Sequence, residues 1–579
     1  MKRSLVKLMP EANPRTNGPS ARLRPDLVFY NGKIVTADAG FSIAQAVAIY
    51  RDRFVAVGSD TAVRALGGTR EIDLHGRTVL PGLIDNHTHQ LLAGLDTPQA
   101  GVKVNIATLQ SMAEIIETLR EQARQTPPGE WLVTSCMYRG ALREGRFPNR
   151  WDLDQASTDH PIYIFQSGKN IIVNSYALRL AGIDAGTPDP EEPEGHIVRN
   201  DEGEPTGHLI AGAADMARKR WWQQLGQPPK MWDFLYFDQE TMLRALAAQQ
   251  AIYNACGIVG ARDMGVSPDE VLVYQKAHER GELTVRANLI LGLPLRYLTM
   301  AEAVEAIRSY FGPKQPFGDE WLRIGGLKVV VQNDGWWAYS TEKLNTIVAE
   351  ANRARWTLAF HVASGTAPDA TEAVLSALEA ADREVPIAGR RFSFEHGFGL
   401  TDPAQYRRAQ RLGLIIAANP LLAYYGAARS AKMVGVLEGI RIAKVAVGAK
   451  GHDRAVYDWG LPLRSWLATG LKVTGGSDNP AIPYDVDHPL LGLYSAVTGE
   501  TLAGVLLPGE EVSREEVIKM WTINNAYATF EEHLKGSIES GKLADLTVIS
   551  EDFLTVPVEQ IPEIKVTMTV VGGRIVYER

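Results

Sequence analysis

Beyond Asp26 the chain alternates short apolar runs with turn residues. Leu27–Tyr30 and Lys33–Thr36 are two such runs about Asn31-Gly32, and an Asn-Gly pair between apolar runs predicts a β-hairpin. Ala46–Tyr50 and Phe54–Gly58 continue the β pattern. The pattern returns at the other end in Leu546–Ser550 and Val566–Val571, and Val571–Tyr577, with its Gly572-Gly573 pair, echoes the first hairpin. Neither end holds enough strands to bury a sheet face by itself, so both ends are predicted to combine in one small β-sandwich. Its expected extent is residues 26–80 and 536–579, behind a flexible leader over residues 1–25.

Between the ends, strand patterns alternate with helical ones. Gly257–Arg262 and Val285–Leu291 read as strands. Asp369–Arg383 reads as an amphipathic helix in which Ala373, Val374, Leu375, Ala377 and Leu378 form an apolar face behind an acidic first turn. Repeated strand-then-helix units predict an α/β fold with a parallel sheet, and a (β/α)8 TIM-type barrel is its closed form. An open doubly wound sheet is the alternative, disfavoured because no Gly-x-Gly-x-x-Gly turn follows a strand. The barrel is expected over residues 81–535, with an insertion at about 100–250 over its mouth; the Pro-rich stretch Thr187–Gly195 is a surface loop of that insertion.

Composition narrows the class. A chain of 579 residues accommodates one large domain and a smaller one, and 45% hydrophobic with 22% charged residues is ordinary for a soluble globular protein. A net charge of -8 with no long basic run argues against a nucleic-acid partner, because phosphate recognition needs a concentrated positive face. The dense basic cluster Arg218-Lys219-Arg220 is read as a solvated helix face. Cys136 and Cys256 exclude a disulfide scaffold, fit a reducing compartment and read as buried small apolar residues. The N-terminal apolar stretch is broken by Lys7 and Pro10, which leaves no secretory segment, and no apolar run reaches the roughly 20 residues of a spanning helix. The expectation is a cytoplasmic protein with a small-molecule partner, and neither membrane nor nucleic acid.

The chemistry concentrates in Leu80-Pro81-Gly82-Leu83-Ile84-Asp85-Asn86-His87-Thr88-His89. Side chains two apart on a strand point the same way, so His87 and His89 can grip one ion. Further polar residues sit at or near predicted strand ends, where such a barrel places its active site: His361 after Leu358-Ala359-Phe360, His396 closing Arg391–His396, and Asp478 after Gly475-Gly476-Ser477. Lys328 interrupts an otherwise apolar strand. Singly, each has a plain reading as a structural histidine, a helix cap or a snorkelling lysine. Jointly, four imidazoles, one carboxylate and one buried lysine form a nitrogen and oxygen set that suits a divalent ion such as zinc.

The order Pro-Gly-Leu-Ile-Asp-x-His-x-His, strand lysine, two strand-end histidines and Gly-Ser-Asp resembles the amidohydrolase superfamily, as does the closing Lys535–Leu546 segment. Val173–Leu178, Gly203–Gly207 and Thr522–Ala528 resemble its YtcJ-like branch, amidohydrolase family 3, which includes N-substituted formamide deformylases. The resemblance implies that His87 and His89 bind one metal, that His361 and His396 serve the same or a second ion, and that Asp478 binds metal and moves protons. Lys328 stands where many relatives carry a carbamylated lysine bridging two ions. Only a neutral amine captures carbon dioxide, and burial disfavours the ammonium. His396, Lys328 and Asp478 are thus the catalytic candidates, with one or two divalent ions, Zn2+ first among them.

The implied activity is hydrolysis of a C–N bond in an amide, N-substituted formamide, carbamate or cyclic amide by metal-activated water. An ester hydrolase on the same site and a catalytically silent regulatory or binding protein are the alternatives. Enzymes of this kind often pair, and no single residue here specifies a homodimer. The chain departs from the family in three places. Lys169, in Ser167-Gly168-Lys169-Asn170, replaces a substrate-contacting histidine; Ser364-Gly365-Thr366 stands for Ile-Gly-Asp; and a short loop carries Asp334-Gly335-Trp336-Trp337. Lys169, Trp336 and Trp337 are therefore the substrate-binding candidates, the tryptophans as walls of an apolar or aromatic pocket or as ordinary packing. Asp85 is expected to fix backbone geometry or a neighbouring ligand. Outside the matched positions, His208, in the insertion, reads as a surface-loop residue ahead of one that faces substrate, His488 as a residue lining the mouth or equally a loop histidine, and His452 carries no assigned role.

Overall fold

The computed structural model describes residues 24–95, 97–100, 106, 109–134, 142–144, 146–165, 170–191, 193–228, 237–309, 316–333, 336–363, 367–425, 460–480, 489–502 and 504–579. Eight parallel strands run in one sheet in chain order: β1 Leu83–Thr88, β2 Ile258–Val266, β3 Arg286–Leu291, β4 Leu322–Asn333, β5 Leu358–Ala363, β6 Ser393–His396, β7 Ile415–Ala418 and β8 Lys472–Gly475. Helices Pro268–Glu279, Met300–Ser309, Thr341–Arg353, Ala367–Glu384 and Pro403–Arg411 make the returns that parallel neighbours require. The helix read from Asp369–Arg383 is Ala367–Glu384, and its Val374, Leu375 and Leu378 are fully buried against the outside of the strands. Strands covered on both faces read as largely apolar runs, and every residue of β2 is buried, including Arg262 and Asp263, each of which is hydrogen-bonded.

The sheet curls into a barrel that is nearly closed. At the seam between β8 and β1 a side chain does the work of a ladder: Asn525 Nδ2 donates to the carbonyls of Ile84 and of Gly475 (2.9 Å), while its Oδ1 accepts from Gly475 N at 3.2 Å. Asn86 Nδ2 adds a bond to Thr474 Oγ1 at 2.8 Å.

Two further sheets are built from the chain ends, a four-stranded one of N-terminal strands alone and a six-stranded one in which both ends meet. The six-stranded one has the order Arg574–Glu578, Val566–Val571, Leu546–Ile549, Thr78–Pro81, Lys33–Val35, Ile43–Ala44, so its centre pairs the C-terminal segment with the strand that leads into β1. Leu27, Phe29, Val47 and Phe54 from one end share a core with Leu546, Val548, Met568 and Val570 from the other.

The two glycine-containing turns differ. Val566–Val571 and Arg574–Glu578 form a true hairpin, and Gly572 and Gly573 both have positive φ (55° and 71°), as a type I′ turn demands. Leu27–Tyr30 and Lys33–Val35 do not pair with each other. They lie in different sheets, so the expected hairpin is a corner. Only Asn31 has positive φ there, and Gly32 serves instead for closeness: a Cβ on it would come within 2.3 Å of Leu74 Cδ1.

Between β1 and β2 the chain builds a five-stranded sheet in the order Gly195–Arg199, Pro205–Ala211, Asn170–Val173, Ile162–Phe165, Leu132–Val133. One of its faces packs on helix Met112–Gln125 and the other on helices Ser175–Ala181 and Gly212–Leu225, in a core continued by Ala287 and Leu289 of β3. Arg218 on the last helix corrects its reading as a solvated residue. It is fully buried, bonded to Asp215 (2.9 Å) and Tyr163 Oη (3.1 Å), while Lys219 and Arg220 face solvent. A basic triplet cannot show that its first member falls on the apolar face of the helix. Among the described residues no helix is long and apolar enough to cross a membrane.

Candidate metal centre

His87, on β1, and His89, just past its end, face one point. Their Nε2 atoms stand 3.3 and 3.4 Å from the same oxygen, Asp478 Oδ1. One ligand atom from each of these three residues fits within a 4.8 Å span. Each ring is held from behind, His87 Nδ1 on Glu395 Oε2 (2.5 Å) and His89 Nδ1 on the carbonyl of Met264 (2.9 Å). Placing the protons on Nδ1 leaves both Nε2 lone pairs directed at the shared point.

The Gly-Ser-Asp segment is built around β1. A Cβ on Gly476 would lie 2.8 Å from His87 N, so only glycine lets the two chains approach. Ser477 donates through N (3.0 Å) and Oγ (2.5 Å) to Asp85, and Asp478 N donates to His87 O (2.7 Å). Asp85 also accepts from His87 N (3.1 Å), so it ties β1 to this segment. Asp478 itself has φ 58°, in the left-handed region, a conformation held by these bonds. Burial pushes its carboxyl up, but His396, His87 and His89 pull it well below the usual carboxylate range.

The other candidates lie beside the same cluster. Lys328 Nζ, buried on β4, lies 3.4 Å from His87 Nε2. Burial draws its amine down to about 8, against Glu395 and Asp478, which favour the ammonium. His396 Nδ1 meets Asn419 Oδ1 at 2.9 Å and Asp478 Oδ2 at 3.8 Å, and its Nε2 lies 2.8 Å from His361 Nδ1. With the Nδ1 protons pointing to Asn419 and to His396, the remaining lone pair is His361 Nε2, which is buried and has no hydrogen-bond partner. Burial, reinforced by His87, lowers His396 to about 3, so the ring stays neutral.

Trp336 and Trp337 form a short strand antiparallel to Gln332 and Asn333 at the end of β4. Trp337 packs against the barrel's hydrophobic core, and its backbone N donates to Glu194 of the insertion at 3.4 Å. Lys169, Cys136, His452, His488 and Ser364–Thr366 lie outside the described residues. Cys256 is buried.

Glu395, Arg262 and Asn419 escaped the sequence reading. The signal for Glu395 was present: with Phe392 and Phe394 facing the outer core, Ser393 and Glu395 must face the lumen, and a lumenal acid beside a candidate ligand is a contact in waiting. Arg262 and Asn419 carried no comparable signal, because their partners are distant in the chain.

His208 corrects a second reading. It lies in strand Pro205–Ala211 opposite Ile172, and only 7% of it is exposed. Burial, with a smaller push from His196, lowers its pKa from 6.5 to about 4. The folded chain thus refuses a proton that the unfolded chain accepts. Above pH 6.5 the difference is nil; as pH falls from 6.5 towards 4, stability drops by up to about 3 kcal/mol. Denaturant melts at pH 7, 5 and 4 should show a smaller acid-side loss in His208→Leu than in the wild type. Parallel losses would assign the acid sensitivity elsewhere.

Residues 70–577 match the family described as the amidohydrolase family. The chain belongs to it. This amidohydrolase is 29% identical over 583 residues to the N-substituted formamide deformylase of Arthrobacter pascens, covering 96% of this chain and 98% of that one. It is 27% identical over 533 residues to YtcJ of Bacillus subtilis strain 168, covering 88% and 91%. In fold it is similar to uncharacterized metal-dependent hydrolases from Pyrococcus furiosus (TM-score 0.61, 19% identity, covering 91% of this chain and 100% of that one) and Pyrococcus horikoshii (0.63, 17%, 92% and 99%). Family and donor set agree on the class of chemistry: metal-dependent hydrolysis.

Proposed function

We propose that this amidohydrolase hydrolyses a C–N bond in a small amide, N-substituted formamide, carbamate or cyclic amide that carries an apolar or aromatic substituent. The observation that carries this reading is the convergence of His87 Nε2 and His89 Nε2 on Asp478 Oδ1. Two neutral nitrogens and a carboxylate are the donor set of a divalent ion, Zn2+ first, and the orphaned lone pair of His361 Nε2 fits a further ligand position. When bound, such an ion lowers the pKa of water and polarises a carbonyl. The relationship to a formamide deformylase over nearly the whole chain favours a nitrogen leaving group.

The chain's own groups do the rest. Asp478, held ionised, accepts the proton of the attacking water on Oδ2 and returns it to the leaving nitrogen, which departs only when protonated. Neutral His396, held between Asn419 and His361, stands beside that carboxylate, its Nδ1 3.8 Å from Oδ2. Lys328, with its lowered amine, is suited to add carbon dioxide with loss of a proton, and the carbamate oxygens would then serve a second ion. Lys169 and the Trp336–Trp337 turn are the substrate contacts we assign, the turn because it sits where β4 meets the insertion. The low cysteine content supports a cytoplasmic setting, and a homodimer is the assembly we expect.

Purified protein should hold stoichiometric divalent metal and turn over at least one member of a panel of N-formyl, N-acyl and carbamate compounds. Chelation should abolish turnover, and zinc, manganese or cobalt should restore it. A protein without metal that stays inactive after all three are supplied is the silent regulator instead.

A further inference from the structure

Four lumenal side chains form a buried chain of contacts whose ends are a strand 6 serine and a candidate ligand. Arg262 reaches from β2 across the lumen, donating through Nη1 to Glu395 Oε1 (3.0 Å) and through Nη2 to Ser393 Oγ (3.1 Å). Ser393 Oγ donates in turn to Glu395 Oε1. One carboxylate oxygen is therefore taken by Arg262 and Ser393, and the other, Oε2, is left to His87 Nδ1 at 2.5 Å. None of the four residues is more than 2% exposed.

A buried ion pair is a poor device for stability, since packed apolar groups of the same volume do as well or better. Its asymmetry points to a task. His89 Nδ1 meets a backbone carbonyl, His396 Nδ1 an amide and His361 Nδ1 another imidazole, all neutral partners, whereas His87 Nδ1 meets a carboxylate. A charge-assisted bond is shorter and stronger, so it fixes the ring plane and tautomer more firmly and makes the opposite nitrogen a better donor. Arg262 keeps the carboxylate from drifting, and its charge offsets the burial of that anion.

We propose that Glu395, clamped by Arg262 and Ser393, is a positioning residue that holds His87 as its Nδ1-protonated tautomer and makes it the strongest of the imidazoles that present a lone pair, His87, His89 and His361. This rests on the metal-site reading above. The test uses the full-length protein stripped by dialysis against chelator and titrated with Co2+, following the visible absorption of the bound ion and competition with a chromophoric chelator. Glu395→Gln, nearly isosteric but uncharged, should weaken Co2+ binding by roughly 10–100-fold and shift the visible bands; Ser393→Ala, which removes one hydroxyl of the clamp, should show the same changes to a smaller degree.

Wild-type affinity and spectrum in a folded Glu395→Gln protein would overturn the proposal. If that variant does not fold, Ser393→Ala decides together with the nitrogen-15 spectrum of the stripped wild type labelled at histidine. There His87, assigned by the signal lost in His87→Gln, must carry its proton on Nδ1, and a proton on Nε2 overturns the proposal. Absence of Co2+ uptake by the wild type sinks the metal reading, while the histidine spectrum still judges the tautomer.

Discussion

Asp478→Asn is expected to lower kcat by about 10²–10⁴-fold while the protein keeps its fold, the range for losing a positioned acid–base group. Asparagine is the informative replacement. It tolerates the left-handed backbone at φ 58°, where alanine would add strain, and its amide oxygen can still face His87 and His89. What it cannot do is accept a proton. Steady-state kinetics, metal content and a thermal melt on the same sample check this. A variant with wild-type kcat removes Asp478 from proton transfer; one that has lost its metal as well assigns the residue chiefly to ligation.

His87→Ala should remove metal and turnover together. The imidazole supplies Nε2 to the cluster and is the hydrogen-bond donor to Glu395 Oε2, so its loss leaves a cavity lined by a carboxylate oxygen without that partner. The cavity and the unsatisfied oxygen together should cost about 2–4 kcal/mol. Metal analysis after gel filtration and a denaturant melt measure the two effects. Full metal occupancy in this variant would show that the ion sits elsewhere in the barrel.

Much of this was legible without coordinates. The alternation of apolar runs with turns specified many of the strands and helices because burial on both faces of a parallel sheet leaves little room for polar positions. The few polar residues that interrupted those runs, His87, His361, His396, Asp478 and Lys328, were conspicuous for that reason, and they do meet. Local chemistry was also readable where backbone conformation decides it, as in the Gly572-Gly573 hairpin.

What stayed hidden depends on which distant segments approach. Asn31-Gly32 carries a hairpin signature, yet the flanking strands go to different sheets, Leu27–Tyr30 pairing with Ala46–Tyr50 and Arg70–Asp73, and Lys33–Val35 with Ile43–Ala44 and Thr78–Pro81. His208 and Arg218 look polar and exposed in the sequence, but one is buried in a strand of the insertion's sheet opposite Ile172 and the other beside Asp215 and Tyr163. Glu395 gained its importance only when β1, β2 and β6 brought His87 and Arg262 to its two oxygens. The sequence by itself determined the barrel class and the residue types that can hold a cation, because these follow from periodicity and donor chemistry. Only the tertiary structure decided which nitrogen each imidazole presents, because that is set by the partner on the opposite ring atom, contributed from another strand of the barrel.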